Sequence, residues 1–343
     1  MFSKLNPIAT SLQSFCEEAE RKCGQQQCED AIRLLEEVVH IQSDSAQLYF
    51  QLGFCRSGGC RQHSLTSPDV AVEHLRQALS LAKTSREPLL RAKILETLGN
   101  TLVESHSGSQ LDRLREALAC HREAAQIFQD RNLLDDWARE EFNQANTLCD
   151  LPESEFPDKW AQAIGHYENA LRVRTRAKDP KRFAATMMNL GTAFRLLPSG
   201  AKTDNVLKSV QCYRRALRVY TLQASPAQYA TLCNNLGNAC LSYPARDDRS
   251  LKRHARQAIN HFQRALGVWN SQENPCRRAL VQYNRGCAYL RLAAREDVAR
   301  AVGCLSEACE GSMPCGRPDI AAMARAQLEK ISPAFRGPSE QAG

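Results

Sequence analysis

Residues 230–269 read ATLCNNLGNACLSYPARDDRSLKRHARQAINHFQRALGVW, and this stretch decides the fold. In AINHFQRALGVW, apolar or small side chains recur at Ala258, Ile259, Phe262, Ala265, Leu266 and Trp269. Steps of three and four place them on one face of an α-helix. The preceding LCNNLGNAC (232–240) is centred on a small residue, Gly237. Between the two lies SYPARDDRS (242–250), rich in turn formers and helix breakers. The unit reads as helix, break, helix.

The same unit recurs along the chain. LYFQLGFC, ILETLGNTL, EFNQANTLC, TMMNLGTAF and VQYNRGCAY align with LCNNLGNAC, with small centres at Gly53, Gly99, Ala145, Gly191, Gly237 and Gly286. Successive centres are 46, 46, 46, 46 and 49 residues apart. A second series follows each centre, beginning at Ala71, Ala117, Ala163, Ser209, Ala258 and Ala301. An alanine stands seven residues later every time, at Ala78, Ala124, Ala170, Ala216, Ala265 and Ala308. Such a period means stacked supersecondary units that bury their apolar faces only against each other. Small residues at fixed places let helix axes approach, and Tyr167, Tyr213 and Phe262 fill the gaps. Pro88, Pro180, Pro226 and Pro275 fall at the entry to a first helix, where a missing N–H costs nothing. No strand-like alternation competes, so the fold class is all-α.

Composition is consistent with this and excludes several classes. The 343 residues are 43% hydrophobic, enough to build a core, with only 14 Pro and 17 Gly. No apolar run approaches the roughly 20 residues of a membrane span, and the first residues lack a secretion signal. A soluble, cytoplasmic protein is expected. The net charge of +7 is unevenly placed. Residues 1–150 hold 16 basic and 22 acidic side chains, whereas residues 151–343 hold 29 and 16. That polarity points to an acidic partner for the basic half, or to head-to-tail contacts between copies, unless it only solvates outer helix faces. Fifteen cysteines, an odd number without a secretion signal, favour reduced thiols over a disulfide framework.

The motif Asn-Leu-Gly-Asn-Ala at 235–239, followed by Ala258, Ile259, Phe262 and Ala265, resembles the tetratricopeptide repeat. Residues 12–45 match one unit of that repeat's standard length of about 34 residues, with Ala19, Ala31 and Val38 in the small or apolar places. Later units carry about 12 residues more, shared between connections and helix ends. This long form is similar to bacterial tetratricopeptide arrays that accompany caspase-like CHAT peptidases or nucleotide-binding signalling modules. The resemblance implies a right-handed superhelical solenoid of about seven helix pairs in one body over residues 1–331. Its repeats would run about 12–45, 46–91, 92–137, 138–183, 184–229, 230–278 and 279–321. A capping helix is expected at 318–331 and a disordered tail at 332–343.

The resemblance also implies where a partner sits. Residues two before and one after each small centre would face the concave groove. These are Gln51, Thr97, Asn143, Asn189, Asn235 and Asn284, then Phe54, Asn100, Asn146, Thr192, Asn238 and Cys287. Seven of the twelve are asparagines: Asn100, Asn143, Asn146, Asn189, Asn235, Asn238 and Asn284. An amide both donates and accepts, so a row of them suits the backbone of an extended peptide. It resembles the asparagine ladders of some peptide-binding superhelical repeats. The expected function is a non-enzymatic interaction scaffold, an adaptor for a protein or peptide. Lys93, Arg139 and Arg285 lie near this face without forming the clamp expected for a C-terminal carboxylate.

Nucleic acid is the alternative partner, through a cluster at Arg172, Arg174, Arg176, Lys178, Lys181 and Arg182. It would continue over Arg214, Arg215, Arg218, Lys252, Arg253, Arg256, Arg277 and Arg278 along later second helices. No aromatic stacking series or groove-reading helix accompanies these cations, so this reading ranks below the peptide one. A His/Cys column at His74, Cys120, His166, Cys212, His261 and Cys304 suits half-buried packing better than zinc, because copies in adjacent repeats are about 10 Å apart. Cys55, Cys60 and His63 lack a fourth ligand, and Cys304, Cys309 and Cys315 read as buried thiols. No phosphate loop, dinucleotide fingerprint, nucleophile elbow or metalloprotease motif is present. No cofactor, metal, catalytic residue or membrane contact is expected.

Overall fold

A computed structural model describes residues 12–25, 27–41, 44–59, 67–82, 87–270 and 272–331. These residues form helices only, joined by turns. The chain divides into two compact units, Met1–Val173 and Arg174–Gly343. In the first unit the helices are α1 (Leu12–Gly24), α2 (Cys28–Ile41), α3 (Ala46–Phe54), α4 (Pro68–Ala82), α5 (Pro88–Glu104), α6 (Gln110–Asp130), α7 (Leu134–Asp150) and α8 (Lys159–Val173). The second unit holds α9 (Pro180–Leu196), α10 (Lys202–Leu217), α11 (Pro226–Ser242), α12 (Asp248–Leu266), α13 (Pro275–Leu290), α14 (Arg295–Ser312) and α15 (Pro318–Lys330). Among the described residues the helices follow one another as seven pairs and a final helix, α15. The proposed tail and the Cys60 and His63 positions lie outside the described residues.

Each pair closes on the residues that define the repeat. All twelve small positions of the second helices, from Ala71 and Ala78 to Ala301 and Ala308, are completely buried. The small centres of the first helices face a large side chain four residues into that series. A methyl group added at Gly99 would lie 2.6 Å from His121, and one at Gly191 would lie 2.7 Å from Tyr213. One at Gly237 would run into the Phe262 ring. These glycines are selected by close approach, not by backbone freedom.

Helix starts follow local chemistry. Six helices begin at a proline: α4, α5, α9, α11, α13 and α15. Asp179 caps α9 through Arg182 N, and Asp247 with Ser250 forms a reciprocal capping box at α12. The added length lies largely in the helices for α5 and α6, but at least half of it lies in the connections for α7 with α8 and for α9 with α10. α1 and α2 have 13 and 14 residues, whereas α5 and α6 have 17 and 21.

The polar turns are tied down by one recurrent place, four residues before the first small residue of the second helix. Arg113 donates to the carbonyls of Ser107 and Gly108, Lys159 to those of Cys149 and Leu151, and Asn205 to those of Leu197 and Ser199. Three different side chains thus satisfy carbonyls of the helix end or of the turn that follows it.

Candidate functional site

Within each unit the first helices stand side by side and the second helices pack behind them. The ranks are α1, α3, α5 and α7 in the first unit, and α9, α11, α13 and α15 in the second. In the first rank Asn100 is exposed, and Asn143 and Asn146 are half-buried. Asn143 Nδ2 donates to Glu140 Oε1 at 3.3 Å, and the Tyr167 hydroxyl donates to Asn146 Oδ1 at 2.6 Å. In the second rank Asn189, Asn235, Asn238 and Asn284 are all half-buried. Asn284 Nδ2 donates to Asn234 Oδ1 at 3.0 Å, joining α13 to α11. The side-chain amides of Asn235 and Asn238 make no hydrogen bond among the described residues. The structure therefore brings Asn189, Asn235, Asn238 and Asn284 into one rank, and Asn100, Asn143 and Asn146 into another.

Charge separates the two ranks. α9, α11 and α13 contain no Asp or Glu at all, while α9 and α13 carry Lys181, Arg182, Arg195, Arg277, Arg278 and Arg285. In the first unit α5 and α7 hold Glu96, Glu104, Asp135, Asp136, Glu140, Glu141 and Asp150. Arg139 is spent on this local charge, bonding Glu96 Oε2 at 2.8 Å and Asp136 Oδ1 at 2.6 Å. Burial raises the pKa of Glu96 above the ordinary carboxylate value, against the pull of Arg139. Arg285 Nε turns toward Cys304 Sγ at 3.3 Å, and Lys93 is exposed. These three cations do not converge on one carboxylate.

A buried polar pair in the first unit was not foreseen. His121 Nδ1 lies 2.7 Å from Glu140 Oε2, with side-chain exposures of 1% and 0%. Its trace is nevertheless in the repeat columns. His121 occupies the place of Leu75, Tyr167, Tyr213, Phe262 and Leu305, and Glu140 that of Leu48, Ile94, Thr186, Leu232 and Val281. Two polar exceptions in otherwise mostly apolar columns, in adjacent copies, is the signal. The nearby Glu141 carboxylate meets His166 Nδ1 at 3.0 Å and Asn169 Nδ2 at 2.8 Å.

The His/Cys column packs as expected: Cys120, Cys212 and Cys304 are buried and His74, His166 and His261 half-buried. Burial pushes the Cys120 thiol up to about 12 and lowers the pKa of His74 and His261. No group of His, Cys, Asp or Glu among the described residues has metal-binding geometry. One thiol expectation is corrected. Cys315 is not a free buried thiol but is bridged to Cys276, with Cα atoms 5.7 Å apart. Folding brings together two residues 39 apart in sequence, a juxtaposition that the count of cysteines does not reveal. Two basic residues are also reassigned: Arg277 and Arg278 lie on the first helix α13, not on a second helix. Arg174 is buried, with Nη1 against Thr186 Oγ1 at 3.3 Å, and is not available to a phosphate.

Comparison with solved structures matches this arrangement of helices. A tetratricopeptide repeat protein from Parabacteroides merdae superposes with a TM-score of 0.55 at 12% identity, over 91% of this chain and 98% of that one. The fold is that of the tetratricopeptide-repeat proteins. The apo form of the quorum sensor NprR from B. thuringiensis superposes with a TM-score of 0.61 at 11% identity over 96% of this chain and 85% of that one. A Rap protein complexed with competence and sporulation factor gives 0.50 at 12% identity over 94% and 98%. No family model and no curated protein matches the sequence. No helix among the described residues is long and apolar enough to cross a membrane.

Proposed function

We propose that this tetratricopeptide-repeat protein is a non-enzymatic adaptor that binds an extended peptide along its asparagine-bearing first helices. The reading rests chiefly on α11, where Asn235 and Asn238 present half-buried amides without a hydrogen-bond partner among the described residues. A half-buried amide that bonds nothing is poorly used unless a ligand supplies the other half of the bond. Asn189 on α9 and Asn284 on α13, the latter already bonded to Asn234, add further half-buried amides to the same rank. An amide can pair with a peptide N–H or C=O, so affinity would come from main chain and selectivity from neighbouring side chains. The absence of acidic residues on α9, α11 and α13 favours a peptide with acidic side chains. The solved complex of a Rap protein with competence and sporulation factor supports the reading by likeness of fold.

The test is selection of a displayed random-peptide library on the wild-type chain and on Asn189→Ala/Asn235→Ala. The expected result is a family of binders enriched in Asp and Glu that the double variant loses by at least about tenfold, roughly 1.4 kcal/mol. Unchanged affinity in a folded double variant defeats the amide reading.

A further inference from the structure

The basic excess is more localised than the halves suggested. Residues 174–270 carry 17 Lys and Arg but only four acidic residues: Asp179, Asp204, Asp247 and Asp248. All four stand at helix N-termini. Asp179 and Asp247 are N-caps, and Asp204 and Asp248 occupy first turns. There a carboxylate is wanted by unpaired N–H groups and the helix dipole. Beyond those first turns α9, α10, α11 and α12 bear no acid anywhere.

The repeat register shows that this is a substitution of pairing, not merely an excess. Between first and second helices of one pair, Arg91 meets Glu123 at 2.6 Å, and at the same two places in α13 and α14 Arg278 meets Glu307 at 2.7 Å. In α9 and α10 these places hold Phe183 and Arg215, and in α11 and α12 they hold Tyr229 and Arg264. The Arg215 guanidinium lies 5.2 Å from the Phe183 ring centroid. An aromatic face replaces the carboxylate, so the cation is held in place without being neutralised. Likewise Arg76 on α4 pairs with Glu116 on α6 at 2.6 Å. Arg214 stands at Arg76's place, but Gln257 stands at that of Glu116.

The result is a row of exposed cations on two successive second helices. Arg249, Arg253, Arg256 and Arg264 fall within roughly 80° of one another around α12 and span about 22 Å of its length. Lys208, Arg214 and Arg215 on α10 and Arg218 at its C-cap are exposed. None of the eight forms an ion pair among the described residues. Arg214 and Arg264 both act electrostatically on His261, which sets the α10 row beside α12. Leu207 is the one exposed large hydrophobic residue on these helices among the described residues, and their aromatic rings, Tyr213 and Phe262, are buried.

We propose that the outer face of α10 and α12 docks along the phosphate backbone of a double-stranded nucleic acid, without reading its sequence. Protein interfaces place an apolar centre inside a polar rim, and this face offers only the single side chain of Leu207. Interfaces with nucleic acid are more polar and far more positive, as this one is. Single strands are held by stacking bases on exposed aromatic rings, which are missing here. The planar guanidinium fork of arginine can pair two N–H groups with phosphate oxygens, and steps of three and four residues present the arginines along one edge. The face uses second helices only, so it is independent of the peptide reading.

The experiment is fluorescence anisotropy of the full chain with a labelled mixed-sequence duplex two helical turns long, titrated in rising salt. Binding at about 50 mM salt is expected, with log affinity falling by about 0.9 per phosphate neutralised. Arg214→Gln/Arg253→Gln/Arg256→Gln removes exposed groups only, so its circular dichroism and melting should match the wild type. Its salt slope should shrink by roughly 2 to 3 and its low-salt affinity fall at least about tenfold. Arg76→Gln in the first unit should change neither. Absence of duplex binding at low salt overturns the proposal, as does a triple variant with the wild-type slope. Tighter binding to a single strand than to the duplex overturns it, and so does capture of poly-glutamate with no affinity for the duplex, which would assign the face to an acidic protein.

Discussion

Glu140→Leu is the most informative single perturbation of the buried His121–Glu140 pair. Leucine is what Leu48 and Leu232 supply at the same place in other copies, so shape and helix propensity are acceptable. The carboxylate is completely buried and its partner is 1% exposed, so removing it strands the imidazole where water cannot replace the bond. Breaking a buried polar pair from one side costs about 3–5 kcal/mol. His121→Phe should cost a similar amount at the low end. It leaves the Glu140 carboxylate with Asn143 Nδ2 at 3.3 Å and with Arg139 Nε at 3.9 Å. The double variant His121→Phe/Glu140→Leu has both apolar partners, and Gly99 accepts a ring as Gly237 accepts Phe262. Replacing a buried pair by packed apolar groups is neutral or stabilising by about 1–4 kcal/mol. Two costly single changes should therefore combine into a chain at least as stable as the wild type. Urea unfolding by circular dichroism measures the cycle, and amide exchange in α6 and α7 places the loss. A stable Glu140→Leu variant, or a double variant as weak as the sum of the singles, would refute the reasoning.

Gly237→Ala should destabilise by about 1–3 kcal/mol, since the added methyl meets the Phe262 ring, whereas Gly165→Ala, with nothing within 4 Å, should stabilise α8 by roughly 0.5–1 kcal/mol; thermal melts separate the two. His261 has a pKa held below its ordinary 6.5 by burial and then by Arg264 and Arg214. The unfolded chain therefore takes up that proton first, and stability falls as the pH drops from about 6.5 toward the folded value. His261→Cys, the residue type at the same place in α10 and α14, should flatten the melting temperature over that window. At pH 8 iodoacetamide should leave Cys120 unmodified until urea opens the chain, because its thiol is buried and pushed up to about 12; peptide mapping reads the site. The same map without reductant should return Cys276 and Cys315 as one linked peptide. Cys276→Ser should lower the stability of the α13–α15 region by about 2–4 kcal/mol, measured by local amide exchange.

Much of the fold was legible because the repeat defines it by sterics. Gly237 and Phe262 must be small and large for α11 and α12 to approach, so the pattern appears as letters at fixed spacing. Pro180 and Pro226 mark helix starts for an equally local reason. The site was legible only as columns. Asn235 and Asn284 occupy equivalent places, yet Asn284 is bonded to Asn234 and Asn235 is not, because that bond depends on how α13 meets α11. Arg139 and Arg214 are both arginines in a charged context. Only the packed helices reveal that Glu96 on α5 joins Asp136 in neutralising the first, and that no ion pair among the described residues neutralises the second.

By itself the sequence determined the all-helical class, the number of helix pairs, the buried alanines and the uneven charge. Each of these depends on residues near one another in the chain, or on steric limits that repeat with the period. The tertiary structure alone decided the Cys276–Cys315 bridge, the burial of Arg174, the His121–Glu140 pair and which cations remain unpaired. Those outcomes turn on hydrogen bonds and ion pairs a few ångströms long between separate helices, and a shift of one helix turn would remake every one of them.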